Sequence, residues 1–301
     1  MNITERFIPS TDGTHRLFTK LYIPEGEIKG IFHIVHGMTE HIGRYHNFMS
    51  AIANSGYLCF AFDNLGHGKT AKDDSELGYI AKKGGYNLLA QDVINAADVI
   101  RAEFGENLPY YLMGHSMGSF IVRLSSQISA PDKLIVMGTG GRNPLAPIGL
   151  AVLNVIKLFF GEKHISDFAD SLAFGSYNKR FENDGKYGWL TRDESVRKQY
   201  GEDKFCTFRF TVSAMLDLVK LNFLVNKKSF LKKTPASLPI LLLSGALDPV
   251  GDYGKGVEAL YTELKALGAN VSMHLYEDAR HEILNDTTFD NVLVDILKFI
   301  E

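Results

Sequence analysis

The chain has 301 residues, 45% of them hydrophobic and 22% charged, with a formal net charge of -3. This is the composition of a globular α/β protein of one large domain, or one domain with an insertion. The near-neutral charge excludes the basic footprint of a nucleic-acid binder. No apolar stretch approaches the roughly 20 residues that cross a bilayer.

Strand and helix signals alternate along the chain. Thr14 to Ile23 alternates loosely and stops at Pro24, and Gly30 to His36 is an apolar run entering Gly37. Arg44 to Ser55 has helical spacing and ends at Gly56, and Tyr57 to Asp63 is again strand-like. From Asn87 to Phe104, Leu88, Leu89, Val93, Ala96, Ala97 and Ile100 form one helical stripe closed by Gly105. Tyr110 to Met113 is a further apolar strand, and a helix begins at Ser119. Lys133 to Thr139, Leu238 to Ser244 and Val271 to Tyr276 complete the strands, with helices over 255–267 and 291–300. Continuous apolar strands separated by helices predict a mostly parallel sheet covered on both faces, with antiparallel strands at one edge before Gly30.

Between Gly140 and Pro239 there is no strand signal. This segment is expected to be an insertion over the carboxyl edge of the sheet, dividing the chain into a core of residues 1–140 and 237–301 and a helical cap of residues 141–236. Inside it, Pro147 to Gly161 is a helix with Lys157 as its only charge. Such a helix is either buried, or lines an acyl pocket or touches a lipid surface.

Gly114-His115-Ser116-Met117-Gly118 lies at one of the strand-to-helix turns. A serine between two glycines at such a turn is a nucleophile elbow: the turn leaves no room for side chains at the flanking positions and presents the hydroxyl at the sheet edge. The string itself arises often by chance, so its meaning depends on a base and an acid found independently. In hydrolases of this design they follow as Asp or Glu, then His, each past a later strand end. Asp248 follows the strand at Leu238 to Ser244, and His281 follows the strand ending at Tyr276. Asp278 and Glu282 are rival acids, disfavoured by their adjacency to His281. The oxyanion donors are expected to be the amides of Met117 and of Met38, the latter in the loop His36-Gly37-Met38-Thr39-Glu40-His41. Gly37, His115, Ile148, Val152 and Ile156 are expected to line the substrate pocket.

No metal site is expected: His36, His41 and His46 are five apart and share no helix face, and neither C-x-x-C nor H-E-x-x-H occurs. Gly66-His67-Gly68-Lys69-Thr70 lacks the leading glycine of a phosphate loop. Cys59, inside an apolar run, reads as a reduced core thiol. The N-terminus has no basic region followed by an apolar one, so the expected location is cytoplasmic.

Four motifs in order resemble one family. His36 to Tyr45 resembles the HG-x-x-EH-x-x-RY stretch of monoacylglycerol lipases and lysophospholipase-like α/β-hydrolases, and Asp63 to Gly68 resembles their D-x-x-GHG turn. Gly114 to Gly118 matches their elbow and Arg280-His281-Glu282 the region of their catalytic histidine. Asn64-Leu65 departs from the usual His-Arg pair, and the cap is the least matched part. The resemblance implies an α/β-hydrolase fold and a serine ester hydrolase with Ser116 as nucleophile, His281 as base and Asp248 as orienting acid. The expected enzyme needs no cofactor and acts on a small-molecule ester or lipid, monoacylglycerols or lysophospholipids, and the apolar Pro147–Gly161 stretch adds an expected transient membrane-surface contact through the cap. The alternatives are an esterase, thioesterase or aminopeptidase for small soluble substrates, or an inactive binding protein of the same fold.

Overall fold

The computed structural model describes residues 1–301. The strands are β1 (Asn2–Pro9), β2 (Arg16–Ile23), β3 (Ile31–Val35), β4 (Leu58–Phe62), β5 (Tyr110–His115), β6 (Lys133–Met137), β7 (Ile240–Gly245) and β8 (Val271–Tyr276). They form one sheet in the order β1-β2-β4-β3-β5-β6-β7-β8. β1 and β2 pair antiparallel at one edge, β2 runs antiparallel to β4, and every other pairing is parallel. This is the α/β-hydrolase arrangement, with the antiparallel pair at the edge anticipated from the sequence.

The helices are α1 (His46–Asn54), α2 (Gly85–Phe104), α3 (Met117–Ser129), α4 (Ala146–Phe160), α5 (Asp167–Phe174), α6 (Glu194–Glu202), α7 (Val212–Val225), α8 (Lys228–Leu231), α9 (Lys255–Ala266) and α10 (Phe289–Ile300). Alternate strand residues feed two separate core layers, because successive side chains leave a strand on opposite faces. Leu134 and Val136 of β6 join α2, α3, α7 and α9 residues such as Leu89, Ile121, Leu221 and Leu260. Ile135 and Met137 point the other way, into Phe48, Met49 and Ile52 of α1 and Val292 and Ile296 of α10. With both faces covered, the central strands must be apolar at every position. That is why they read as unbroken runs.

Helices α4 to α8 all lie between β6 and β7, with no strand among them. α4 packs on α7; its buried residues are Ala146 and Leu153, and Ile156 is partly buried against the core layer. The apolar residues of its last turn face outward: Leu158, Phe159 and Phe160 are 80%, 76% and 66% exposed. The buried alternative for this helix is therefore wrong. No helix of the chain is long and apolar enough to cross a membrane.

Asp217 of α7 is buried close to the start of α2, and its Oδ2 has no hydrogen-bond partner. Burial pushes its carboxyl up to about 6, against the opposing effects of the Tyr86 amide, Lys157 and the Gly85 amide. A carboxyl with a raised native pKa binds its proton more tightly when folded. Its contribution to stability is complete below about pH 4 and is lost as the pH rises through about 6. Asp217→Asn should accordingly stabilise the protein by about 1–3 kcal/mol at pH 8 and by little at pH 4. Urea midpoints at the two pH values check this, and an equal gap at both would show that Asp217 is not the titrating group.

Candidate active site

The chain leaves β5, turns at Ser116 and enters α3. Ser116 has φ 54° and ψ -119°, a conformation that a non-glycine residue holds only under constraint. The constraint is visible: the Ser116 amide donates to the Met137 carbonyl at 3.0 Å, and the Ser119 hydroxyl donates to the Ser116 carbonyl at 2.5 Å. A Cβ on Gly114 would run into the Gly118 carbonyl, and one on Gly118 into the Val35 carbonyl. The two flanking glycines are therefore required by the close passage of α3 over β5 and β3.

Asp248 and His281 lie just beyond β7 and β8, which are adjacent and parallel, so both loops emerge at the same sheet edge. His281 Nδ1 donates to Asp248 Oδ2 at 2.9 Å, and both side chains are buried. Asp248 Oδ1 accepts from the Val250 amide at 2.8 Å, which fixes the carboxylate plane. With the proton on Nδ1, the lone pair of His281 is on Nε2. The Trp189 ring, 5.1 Å from the His281 ring between centroids, and the His115 ring, at 4.7 Å, flank the imidazole. The ring's hydrogen bond is to Asp248 and not to Ser116; bonds of the second kind often tighten only with substrate present. The rival acids sit elsewhere. Asp278 is exposed, and Glu282 makes a two-pronged pair with Arg44 at 2.5 and 2.6 Å.

The loop after β3 passes beside the elbow. A Cβ on Gly37 would lie 2.9 Å from Ser116 Cβ, so only glycine fits there. The Met117 amide opens α3 and has no partner within that helix. Met38 lines the same cavity as Ser116, Met117 and His281.

Behind this loop is a buried carboxylate whose role the sequence did not disclose. Glu40 Oε1 accepts from the Gly37 amide (2.5 Å), the Tyr45 hydroxyl (2.9 Å) and His115 Nδ1 (3.1 Å). Burial opposes its ionisation, but the His115 bond and the charges of His115 and Arg44 prevail and hold the carboxyl far below its usual range. Burial works against the His115 cation too; the bond to Glu40 overcomes it and raises that pKa. His115 Nε2 faces the His281 carbonyl at 3.2 Å, so both ring nitrogens adjoin acceptors, as an imidazolium requires. His115 was expected only to line the pocket. It does so, and it also ties the elbow to Glu40 in the loop after β3 and to the backbone of His281. Glu40, Arg44 and Tyr45 all lie in the HG-x-x-EH-x-x-RY stretch, so the signal was present without its geometry.

The cavity over Ser116 has a volume of about 610 Å³. Phe120, Phe174, Phe208, Phe210, Met215 and Leu218 give it apolar walls, with Asn143, Asp170, Lys186 and Arg209 among its polar lining. Gly37, Ile148, Val152 and Ile156 do not line it, contrary to expectation. α4 contributes only Ala146; Ile148 points to solvent and Ile156 packs against the core layer. The aromatic residues of 174–210, which carry no helical periodicity, take their place.

One trio of metal-ligating types does assemble: ligand atoms of His41, Asp203 and Cys206 lie within 4.8 Å of one another. His41 is already satisfied, with Nε2 donating to Asp203 at 2.9 Å and Nδ1 accepting from the Gly43 amide at 3.2 Å. That tautomer leaves no lone pair for an ion, so the trio is a hydrogen-bonded pair beside a thiol.

The sequence profile of the serine aminopeptidase S33 family, a hydrolase family, matches residues 26–288. The monoglyceride lipase of Mus musculus is 24% identical over 272 residues, covering 90% of this chain and 81% of that protein. Among solved structures, a highly thermostable carboxyl esterase from Bacillus coagulans, crystallised with glycerol, superposes with a TM-score of 0.93 at 30% identity over 100% of this chain and 98% of that one. A lipase in its open form gives a TM-score of 0.90 at 28% identity, covering 99% and 98%.

Proposed function

Because this chain belongs to the serine aminopeptidase S33 family and is an ester-hydrolysing α/β-hydrolase, we propose that it cleaves monoacylglycerols or lysophospholipids through an acyl-enzyme on Ser116. The observation carrying this reading is one apolar cavity of about 610 Å³ that holds Ser116 and the buried His281–Asp248 pair together. Its volume falls in the range of pockets that enclose most of a small ligand. Relatives named as monoglyceride lipases, and the glycerol in the Bacillus coagulans esterase, add support for a glycerol ester.

In this reading His281 Nε2 takes the Ser116 proton as Oγ bonds to the acyl carbon. The carbonyl electron pair moves onto oxygen, where the Met38 and Met117 amides receive the charge. Collapse of the tetrahedral species breaks the ester C–O bond, and His281 returns the proton to the departing alcohol. Water, deprotonated by His281, then attacks the acyl-enzyme; the acid leaves and Ser116 recovers its proton. Asp248 keeps the imidazole in the required tautomer throughout. No cofactor takes part in these steps.

Residues 141–236 act as the cap in this proposal, and the exposed apolar faces of α4 and α5 are its contact with lipid. Leu158, Phe159, Phe160, Phe168 and Leu172 are all well exposed there, and large apolar side chains exposed together are what a lipid surface would cover. An aminopeptidase reading would need a free carboxylate in the cavity for the substrate ammonium group. Asp170 is paired with Arg209, Glu40 with His115 and Glu282 with Arg44, so none of the three carboxylates lining the cavity is available.

Relative rates on p-nitrophenyl acetate, monoacylglycerols and lysophospholipids test the substrate class, with the lipids supplied in vesicles. The joint variant Phe159→Ser/Phe160→Ser should lower the vesicle rate about tenfold or more, given roughly 1.5–3 kcal/mol for each large apolar side chain buried, and leave p-nitrophenyl acetate unaffected. Faster hydrolysis of short soluble esters than of any lipid would reject the lipid assignment.

A further inference from the structure

The oxyanion loop is not held by the sheet alone. Thr39, one residue past Met38, has φ 50°, in the left-handed region that a β-branched residue strongly disfavours. Such a conformation persists only where the surroundings impose it. Here they come from the inserted segment. The Tyr200 hydroxyl, on α6, donates to the Thr39 carbonyl at 2.9 Å, and Thr39 Oγ1 lies 3.0 Å from the same hydroxyl. Because the phenolic proton is already given to the carbonyl, the Thr39 hydroxyl is the donor in the second bond. Burial holds the Tyr200 phenol protonated far above its usual pKa, so the donor is kept at all working pH.

Tyr200 is itself immobilised. The Arg44 guanidinium lies 4.9 Å from the centre of its ring, and the Tyr187 ring meets it edge-on at 4.9 Å. Arg44 is in turn locked to Glu282, the residue after His281. Just past α6, Asp203 holds His41 at the far end of the same loop. α6 and the residue that follows it thus grip Thr39 and His41, and through Arg44 they are braced against the loop of His281.

We infer that Tyr200 is a positioning residue for the oxyanion hole: by holding Thr39 in its disfavoured conformation, it keeps the Met38 amide aimed at the developing charge. The inserted segment then does more than select substrate. The hole is complete only while α6 is docked. The inference rests on the acyl-enzyme reading above.

Tyr200→Phe isolates the idea, since the ring and its packing remain and only the two hydrogen bonds are lost. Losing or misplacing an oxyanion donor is worth about 10²–10³ in rate, and partial misplacement here should lower kcat about 10–100-fold with KM nearly unchanged. The factor should be the same for p-nitrophenyl acetate and for a long-chain ester. Affinity for a trifluoromethyl ketone, which forms an oxyanion on Ser116, should fall in parallel, whereas affinity for a fatty alcohol should not. Adding Thr39→Gly, which takes φ 50° without penalty, should restore much of the lost kcat. An unchanged kcat would overturn the inference. So would a loss confined to KM for long esters, which would leave Tyr200 only the cavity wall it already is, or a loss that Thr39→Gly leaves in full. Absence of ester hydrolysis by the wild-type protein would instead reject the underlying reading.

Discussion

Ser116→Ala should reduce kcat for ester hydrolysis by about 10⁵–10⁶ while leaving the protein folded and the cavity able to bind ester. In the acyl-enzyme proposal the size follows from the loss of the nucleophile, because members of a nucleophile–base–acid unit are not additive and removing one abolishes the covalent route. A residual rate above the uncatalysed reaction, about 10³–10⁴-fold, should survive from the oxyanion amides and binding alone. The fold has no reason to respond: the bonds that hold the elbow use the backbone of Ser116, its amide to Met137 and its carbonyl from Ser119. A fluorophosphonate probe should label the wild-type protein at Ser116 and leave the alanine variant unlabelled. Equal labelling of both proteins would place the nucleophile elsewhere.

For Asp248→Asn the expected loss in kcat is about 10⁴. The carboxylate is wholly buried and accepts at both oxygens, from His281 Nδ1 and from the Val250 amide. An amide of the same shape can satisfy only one of them. If its oxygen stays on Val250, its NH₂ faces Nδ1 and drives the proton to Nε2, where the base must be free. If the amide turns over, its NH₂ opposes the Val250 N–H and a buried donor is left unpaired. Substrate binding should change little, so the loss belongs in kcat rather than KM. Full activity in this variant would transfer the acid role, and Glu282 would first have to leave Arg44 to take it.

The strands and the elbow were legible from local patterns. β8 falls where it was expected, at Val271–Tyr276, and β6 and β7 differ from expectation by two residues or fewer at each end. Their apolar runs and bounding turns depend on nearest neighbours and on burial of both faces. The sheet-edge positions of Ser116, Asp248 and His281 follow from those strand ends alone, since parallel strands deliver their following loops to one side. The α4 error has an equally physical origin. A helix apolar on every side looks the same in sequence whether its partner is a core, a ligand or a lipid surface. Only the packing of α4 on α7 decides that Leu158, Phe159 and Phe160 face out.

The cavity walls and the Tyr200 clasp could not have been read from spacing. Tyr200 and Thr39 are 161 positions apart, and Arg44 and Glu282 are 238 apart. Contacts of such separation are set by how ten helices and eight strands close around one another, not by any local period. Sequence order and turn chemistry were enough for the fold and for which residue types could meet at the sheet edge. Which side chains surround them, and what holds Thr39 in its disfavoured conformation, became determinate only when the helices between β6 and β7 packed down on the core. There burial makes each unsatisfied polar group costly, and so leaves few arrangements standing.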